Sequence, residues 1–122
     1  MKKHIEMRLA DGATLDDIKA DVMQTAINTA LVACYGNQTK ASELLEINRW
    51  TLRKWLNDAS KRTYKPFEQV SICVGTSTAK EMLTEAYREA VSRVMATNKN
   101  VTMTAYLLGC QRSTVRKYMV KP

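Results

Sequence analysis

Apolar residues recur at three- and four-residue spacing over two long stretches of the chain. The first stretch follows Thr14 and continues to Cys34, and the second follows the sequence Thr78-Ala79-Lys80-Glu81 and continues to Met95. This spacing predicts amphipathic helices over about 15–35 and 79–97. Thr14 is expected to cap the first helix and Gly36 to end it, while Thr78 and Glu81 form a capping box for the second.

Two short helical patterns follow the first long one. Thr39 is expected to cap a helix that ends near Glu46, and Asn48 to cap another that ends near Asp58. In the second of these helices Leu52, Trp55 and Leu56 fall on one face, which predicts that they point inward. Arg49, Arg53 and Lys54 cannot share that face and are expected to point to solvent or to a ligand.

The same two short patterns return near the end of the chain, over about 102–108 and 111–120. Residues 36–56 fall on residues 99–119 when shifted by 63 positions. The residues that are identical at this offset are Asn37, Thr39, Leu44, Leu45, Arg49, Thr51, Arg53 and Lys54. The chain therefore contains an internal repeat of a long helix followed by two short ones.

Two segments lie outside the repeat. Ile5, Met7 and Leu9 alternate with polar residues, which is compatible with a short strand ending at Asp11-Gly12 or with a flexible arm. The segment from Phe67 to Val74 is rich in β-formers and predicts a short strand or a packed connector. The expected organisation is all-α: an N-terminal arm 1–13, a first repeat 14–58, a connector 59–77 and a second repeat 78–122.

Charge is distributed unevenly along a chain of net charge +7. Basic residues concentrate in 48–65 and 99–122, whereas Asp11, Asp16, Asp17 and Asp21 lie near the start. Positive charge therefore accompanies the last short helix of each repeat. This balance favours an acidic partner, with nucleic acid first and an anionic membrane second.

Few residues suggest catalysis or metal binding. Cys34, Cys73 and Cys110 are far apart and are expected to be reduced, with Cys34 and Cys110 packed at apolar helix positions. His4 is the only histidine, and the glycines are isolated from one another. We therefore expect no enzyme activity, no cofactor and no metal. Without a visible signal peptide or an apolar run near ~18 residues, the expected location is the cytoplasm, with no membrane partner.

Residues 36–41 (Gly-Asn-Gln-Thr-Lys-Ala) and 47–54 (Ile-Asn-Arg-Trp-Thr-Leu-Arg-Lys) are similar to the motif of the Fis family. This family includes the bacterial nucleoid protein called factor for inversion stimulation and the DNA-binding ends of many enhancer-binding activators. The resemblance covers residues 17–58. The second copy, about 80–120, departs from the motif at Lys99, Gln111 and Val115.

The resemblance implies a helix-turn-helix protein whose last helix enters the major groove of DNA, with dimerisation through the long helix and often DNA bending. Carried over by position, Asn48 and Arg49 correspond to base-edge contacts. Phosphate or groove contacts are implied for Thr51, Arg53 and Lys54, and backbone contacts for Asn37, Thr39 and Lys40. Trp50 occupies a position where the nucleoid protein has a small residue. The internal repeat gives a second set of residues: Asn100, Thr102, Gln111, Arg112, Ser113, Thr114, Arg116 and Lys117.

Elementary chemistry agrees with these roles. An arginine at the start of a helix can bind guanine O6 and N7 with two hydrogen bonds, and cations one turn later can neutralise phosphates. Trp50 is interpreted either as a DNA contact or as a partly buried packing residue, whereas Trp55 and Tyr118 are expected in the core. We expect a nucleoid-associated transcriptional regulator or DNA-architectural protein of the size of a phage or mobile-element regulator.

Two alternatives to a regulatory or architectural role remain open. The repeats could instead form a helical scaffold that binds an acidic protein, or the chain could be a recombination accessory factor with the same DNA chemistry.

The apolar stripe of the helix 15–35 is wider than its two short helices can cover, so it needs either the other long helix or a second chain. A homodimer would give two unlike repeats true two-fold symmetry, which suits a palindromic site, and is the expected assembly.

Overall fold

The computed structural model describes residues 2–61 and 63–119, which are folded mainly as α-helices. The predicted all-α class is confirmed, and the described residues contain no β-strand. A 3-10 turn, Ala59–Lys61, follows the fourth helix. The helices are α1 (Lys2–Ala10), α2 (Leu15–Ala33), α3 (Gln38–Leu45), α4 (Arg49–Asp58), α5 (Glu68–Cys73), α6 (Ala79–Asn98), α7 (Val101–Leu108) and α8 (Arg112–Tyr118).

These helices divide into two compact units whose boundary passes through both long helices. It lies after Ile18 in α2 and after Leu83 in α6. One unit holds the greater part of α2 together with α3, α4, α5 and the first turn of α6. The other holds α1, the first turn of α2, the remainder of α6, and α7 and α8. Each unit thus contains one pair of short helices.

The N-terminal segment is a helix, so the expectation of a strand or a flexible arm is wrong. Ile5 is fully buried, whereas Met7 is exposed. Ile5 and Leu9 satisfy the period of a helix as well as that of a strand, because positions four apart share a helix face. Only Met7 distinguishes the two periods, and it points outward. Arg93 of α6 lies 3.6 Å from the carboxylate of Glu6.

Both long helices begin with reciprocal capping, which was predicted for Thr78 and Glu81, whereas for the first helix only the cap by Thr14 was predicted. Thr14 N donates to Asp17 Oδ2 at 2.9 Å and Asp17 N donates to Thr14 Oγ1 at 3.4 Å. Thr78 N donates to Glu81 Oε1 at 2.9 Å and Glu81 N donates to Thr78 Oγ1 at 3.2 Å. The backbone and then the side-chain hydrogen bonds with Thr78 lower the pKa of the Glu81 carboxyl. Backbone donors that lack helical partners are thereby satisfied.

The middle of α2 is enclosed on all sides. Every residue from Ala20 to Ile27 is buried within the single chain, and more than two turns of consecutive positions sample every face of a helix. Over this middle section, the apolar stripe that was expected to need the other long helix or a second chain is therefore covered within one chain. The helix ends at Ala33, close to the predicted stop, but the first left-handed residue after it is Tyr35 (φ +54°); Gly36 (φ +80°) follows, and its N–H donates to Leu31 O at 2.8 Å.

The connector packs on a polar stripe of α2 that the sequence did not reveal. Lys65 N donates to Asp21 Oδ1 at 2.9 Å, and Phe67 N donates to the Thr25 hydroxyl at 3.0 Å. One turn further along α2, Thr29 Oγ1 donates to Ser71 Oγ at 3.2 Å. Positions 21, 25 and 29 lie four apart and share one face of the helix. These bonds satisfy polar groups where the connector covers the side of α2 that borders its apolar stripe.

Of the two alternatives for Phe67 to Val74, the strand is wrong and the packed connector is confirmed. This segment is the short helix α5, and only an isolated bridge joins Val74 to Ser77. Phe67 and Val70 are fully buried at a three-residue spacing, whereas Ile72 is exposed. The β-preference of valine and isoleucine is weak and yields to burial, and a helical turn directs Phe67 and Val70 to the same side.

The cysteines differ in detail from the expectation. All three are free thiols and are half-buried instead of buried. Cys34 follows the end of α2 and Cys110 lies in the turn between α7 and α8, so neither occupies a helix interior. Burial, with a smaller contribution from the charge of Asp16, raises the pKa of the Cys110 thiol.

Among the helices described, none has both the length and the apolarity needed to cross a bilayer.

Candidate nucleic-acid interface

The two pairs of short helices, α3–α4 and α7–α8, begin in the same way. Asn37 Oδ1 accepts from Lys40 N at 3.0 Å, and Asn100 Oδ1 accepts from Met103 N at 3.1 Å. Asn37 is therefore the N-cap of α3, and the expectation that Thr39 caps it is wrong. An extended residue before a helix places its side-chain oxygen near the third helical N–H, and Asn37 occupies that position, whereas Thr39 already lies inside the helix.

The turns inside the two pairs also correspond. The residue that follows α3 is Glu46, with φ +54°, and the residue that follows α7 is Gly109, with φ +66°. The backbone therefore turns through the left-handed region after both helices. The next residue closes the turn in each pair: Ile47 N donates to Ser42 O and Cys110 N donates to Ala105 O, both at 3.0 Å. The 63-residue repeat of the sequence is thus also a repeat of backbone geometry.

Each pair has a small apolar core. Leu45 and Leu52 are fully buried in the first pair, and Leu108 and Val115 take the corresponding positions in the second. Trp55 is buried, as predicted, with 7% of its surface exposed. The predicted boundaries of all four short helices agree with the structure to within about two residues. The predicted end of the last one at Val120 lies outside the described residues.

Tyr118 holds the end of α8 against α6. Its ring meets that of Tyr87 edge to face, with centroids 5.3 Å apart and planes inclined at 73°. Burial raises the pKa of Tyr87 to about 12, and the charges of Tyr118 and Asp16 add to this shift. Tyr118 is half-buried, so it packs between core and surface where a fully buried side chain was expected.

Opposite its buried residues, α4 presents a basic face. Arg49, Arg53 and Lys54 are all exposed, as predicted, and Trp50 is exposed beside them. Asn48 caps the helix through Oδ1, which accepts from Trp50 N at 2.7 Å. The predicted cap is confirmed. Because an asparagine amide has an oxygen and an NH₂ group, the NH₂ group is what Asn48 can offer to an acceptor outside the protein.

Two hydrogen bonds join this basic face to the start of α3. Arg49 Nη1 donates to Thr39 Oγ1 at 3.1 Å, and Arg53 Nε donates to Gln38 Oε1 at 3.3 Å. The two helices therefore contribute to one continuous polar surface. A guanidinium has five N–H donors, so each arginine keeps donors for a further acceptor. Sequence reasoning missed Gln38, whose role depends on the packing of α3 against α4.

The corresponding surface of the second pair is formed by α7 and α8. Arg112, Arg116 and Lys117 are exposed on α8, and residues 99–119 contain no acid. Gln111 begins the helix without a side-chain capping bond, and its Oε1 accepts from Ser113 Oγ at 3.5 Å. α8 thus lacks the side-chain capping bond that α4 has, because the longer glutamine replaces the asparagine at this position.

The two surfaces differ in their nonbasic residues. The first pair carries exposed Glu43 on α3 and exposed Glu46 directly after it, whereas α7 exposes Met103, Tyr106 and Leu107. The second surface therefore combines uncompensated positive charge with apolar side chains.

Nearly all the residues predicted for the site are exposed, and only Thr51 and Thr114 are half-buried. The exposed ones on α3, α4 and the residues before them are Asn37, Thr39, Lys40, Asn48, Arg49, Trp50, Arg53 and Lys54. Those on the second pair are Asn100, Thr102, Gln111, Arg112, Ser113, Arg116 and Lys117.

No protein-family model, curated protein or solved structure matches the chain.

Proposed function

We propose that the chain binds double-stranded DNA with α4 and α8 in the major groove and acts as a transcriptional regulator or DNA-architectural protein. The observation that carries the proposal is the repetition of one arrangement. The two pairs of short helices share the asparagine cap of their first helix and the turn that follows it, and each pair exposes arginine and lysine on the face of its second helix that lies opposite the buried residues.

The first turn of each second helix supplies the candidate for reading sequence. Arg49 and Arg112 are the first residues of α4 and α8. In a helix-turn-helix the beginning of the recognition helix faces the base edges, and arginine binds guanine O6 and N7 there. The hydrogen bond that Arg49 donates to the Thr39 hydroxyl restricts the arginine side chain before DNA arrives. This favours one orientation and reduces the entropy lost on binding.

The remaining polar residues suit the sugar–phosphate backbone. Arg53 and Lys54 follow Arg49 by one helical turn, and Arg116 and Lys117 follow Arg112 in the same way. Cations at these positions would neutralise phosphates and release counterions. The starts of α3 and α7 add backbone N–H groups and the side chains of Thr39 and Thr102, which suit phosphate oxygens.

The similarity of residues 36–41 and 47–54 to the Fis motif supports the same function, and membership of that family is part of the proposal. A recombination accessory factor would use the same surface on a different target site. Location on the nucleoid in the cytoplasm follows from the proposed DNA binding.

A protein partner with an acidic surface is the second candidate. The observation in its favour is the surface of α7, where Met103, Tyr106 and Leu107 are exposed beside a helix without acids. Large exposed apolar side chains beside charge are a feature of protein interfaces. Such a partner would bind through α7 and leave duplex DNA unbound.

Assembly as a homodimer is also proposed. Its support is symmetry: two unlike repeats can present identical surfaces to a palindromic site only when two chains pair. Because only the middle of α2 is enclosed, pairing would have to use its exposed C-terminal end, where Val32 is 79% exposed, or another surface of the chain. Light scattering tests this point. A mass of twice 13.8 kDa supports the dimer, and a mass of 13.8 kDa would contradict it.

Retardation of duplex DNA in a gel tests the function. The intact chain should retard duplexes at low salt. The retardation should disappear as the salt concentration rises, because phosphate contacts weaken with salt. Arg49→Ala and Arg112→Ala should reduce discrimination between sequences, whereas Lys80→Ala, which removes the same charge outside the helix pairs, should not. Absence of retardation at any salt concentration would contradict DNA binding and leave the protein-partner candidate.

A further inference from the structure

The exposed tryptophan of α4 has no role in the charge-based contacts proposed above. Trp50 has 68% of its surface exposed, whereas Trp55, five residues later, is buried to 7%. A large aromatic side chain left in water forgoes the free energy that burial would provide. Because Trp50 lies on the proposed recognition helix, we expect the DNA group that contacts it to be apolar.

Trp50 lies near the centre of the outward face of α4. At 100° per residue, Trp50, Arg53, Lys54 and Asn57 fall within about 100° of the helix circumference. All four are exposed, and the buried Leu52 and Trp55 lie on the opposite side. A groove that accepts Arg53 and Lys54 therefore also receives the indole.

The surroundings of the indole are cationic. Lys54 Nζ lies 5.4 Å from the centroid of the Trp50 ring, within the range of a cation–π interaction. Arg49, the preceding residue, is tied to Thr39. These cations can reach phosphates and guanine, but the indole needs an apolar surface at the same depth in the groove.

The base edges in the major groove offer one such group, the C5-methyl of thymine. We propose that Trp50 packs on a pyrimidine C5-methyl group, so that α4 binds more tightly to a half-site with a methylated pyrimidine at this position. This inference rests on the proposed DNA binding. Thymine and 5-methylcytosine both carry this methyl group, and the experiment separates them. The repeat position in α8 is Ser113, so the half-site read by α8 should lack this preference.

The test uses a duplex selected by the intact chain from random sequence. Single thymines are replaced by deoxyuridine, which removes only the methyl group, and affinity is measured by fluorescence anisotropy. Burial of one methyl group is worth ~0.8 kcal/mol, so binding should weaken about fourfold at one or two thymines of one half-site only. At those positions, cytosine and 5-methylcytosine, each opposite guanine, show whether methylcytosine can replace thymine.

Trp50→Ser is the matched variant, because serine is the residue that the second repeat carries at this place. It should bind the thymine duplex more weakly and bind thymine and deoxyuridine duplexes equally. Trp50→Phe, which keeps an apolar ring, should retain part of the difference. The exposure of Trp50 makes unfolding of these variants unexpected, and circular dichroism checks it.

Three outcomes would overturn the inference. If the intact chain binds thymine and deoxyuridine duplexes equally while still selecting a sequence, the methyl contact is wrong and the proposed function stands. If Trp50→Ser keeps the full sensitivity to deoxyuridine, another residue reads the methyl group. If the chain binds no duplex at all, the proposed function fails and this inference fails with it.

Discussion

Raising the salt concentration should weaken DNA binding by an amount that follows from the exposed cations. Arg49 and Arg112 are assigned to bases. The cations left for phosphates on the two surfaces are Lys40, Arg53, Lys54, Lys99, Arg116 and Lys117, all exposed. If each neutralises one phosphate, the slope of log K against log salt is about −0.9 per contact, or about −5.4 in total.

Such a slope means that affinity falls about 10³-fold between about 50 and 200 mM monovalent salt. Fluorescence anisotropy of a labelled duplex at several salt concentrations gives the slope directly. Lys54→Ala and Lys117→Ala should each make the slope shallower by about 0.9, while the charge-matched control Lys80→Ala leaves it unchanged. A slope between zero and about −2 in the intact chain, or equal effects of all three substitutions, would refute the assignment of these cations to phosphates.

Three further results are expected. Arg49→Ala and Arg112→Ala should each weaken binding to a selected site by about 1–3 kcal/mol and relax the sequence preference, as competition with mismatched duplexes will show; unchanged specificity in both would exclude direct readout. Leu52→Ala should lower the free energy of unfolding by about 2–5 kcal/mol in urea, because Leu52 is fully buried. Gly109→Ala should destabilise by about 1–2 kcal/mol or more, since its φ is +66° and a Cβ would lie 3.2 Å from the Thr14 side chain. Gly36→Ala, with φ +80° in open space, should cost less, and equal losses would contradict the steric part of this argument.

Sequence features that depend on near neighbours predicted the helices of the two repeats well. The spacing of apolar residues gave both long helices, and the capping residues Thr14, Asn48 and Thr78 gave three helix starts. These features depend on neighbours three or four residues apart, which sequence displays directly. The exposed face of α4 followed from the same periodicity.

The predictions that were wrong or incomplete concern short segments with an ambiguous apolar period and contacts between residues far apart in sequence. α1 and α5 are short, and their apolar spacing fits two periods, so tertiary burial of Ile5, Phe67 and Val70 decided between them. The polar stripe of α2 is satisfied by residues about forty positions later in sequence, as in the bond between Phe67 and Thr25. Gln38 entered the candidate interface only because α3 packs against α4.

Direct titration of duplex DNA tests the central claim, that the outward faces of α4 and α8 bind DNA. The measurement is the anisotropy of a labelled duplex of about 30 base pairs at about 50 mM salt, with the intact chain and with the double variant Arg53→Glu/Arg116→Glu. Lys19→Glu/Lys80→Glu changes charge equally at exposed positions outside the helix pairs and serves as the control. We expect micromolar or tighter binding by the intact chain and the control, and about hundredfold weaker binding by the double variant. Undetectable binding by the intact chain, or equal weakening by the two double variants, would contradict the central claim.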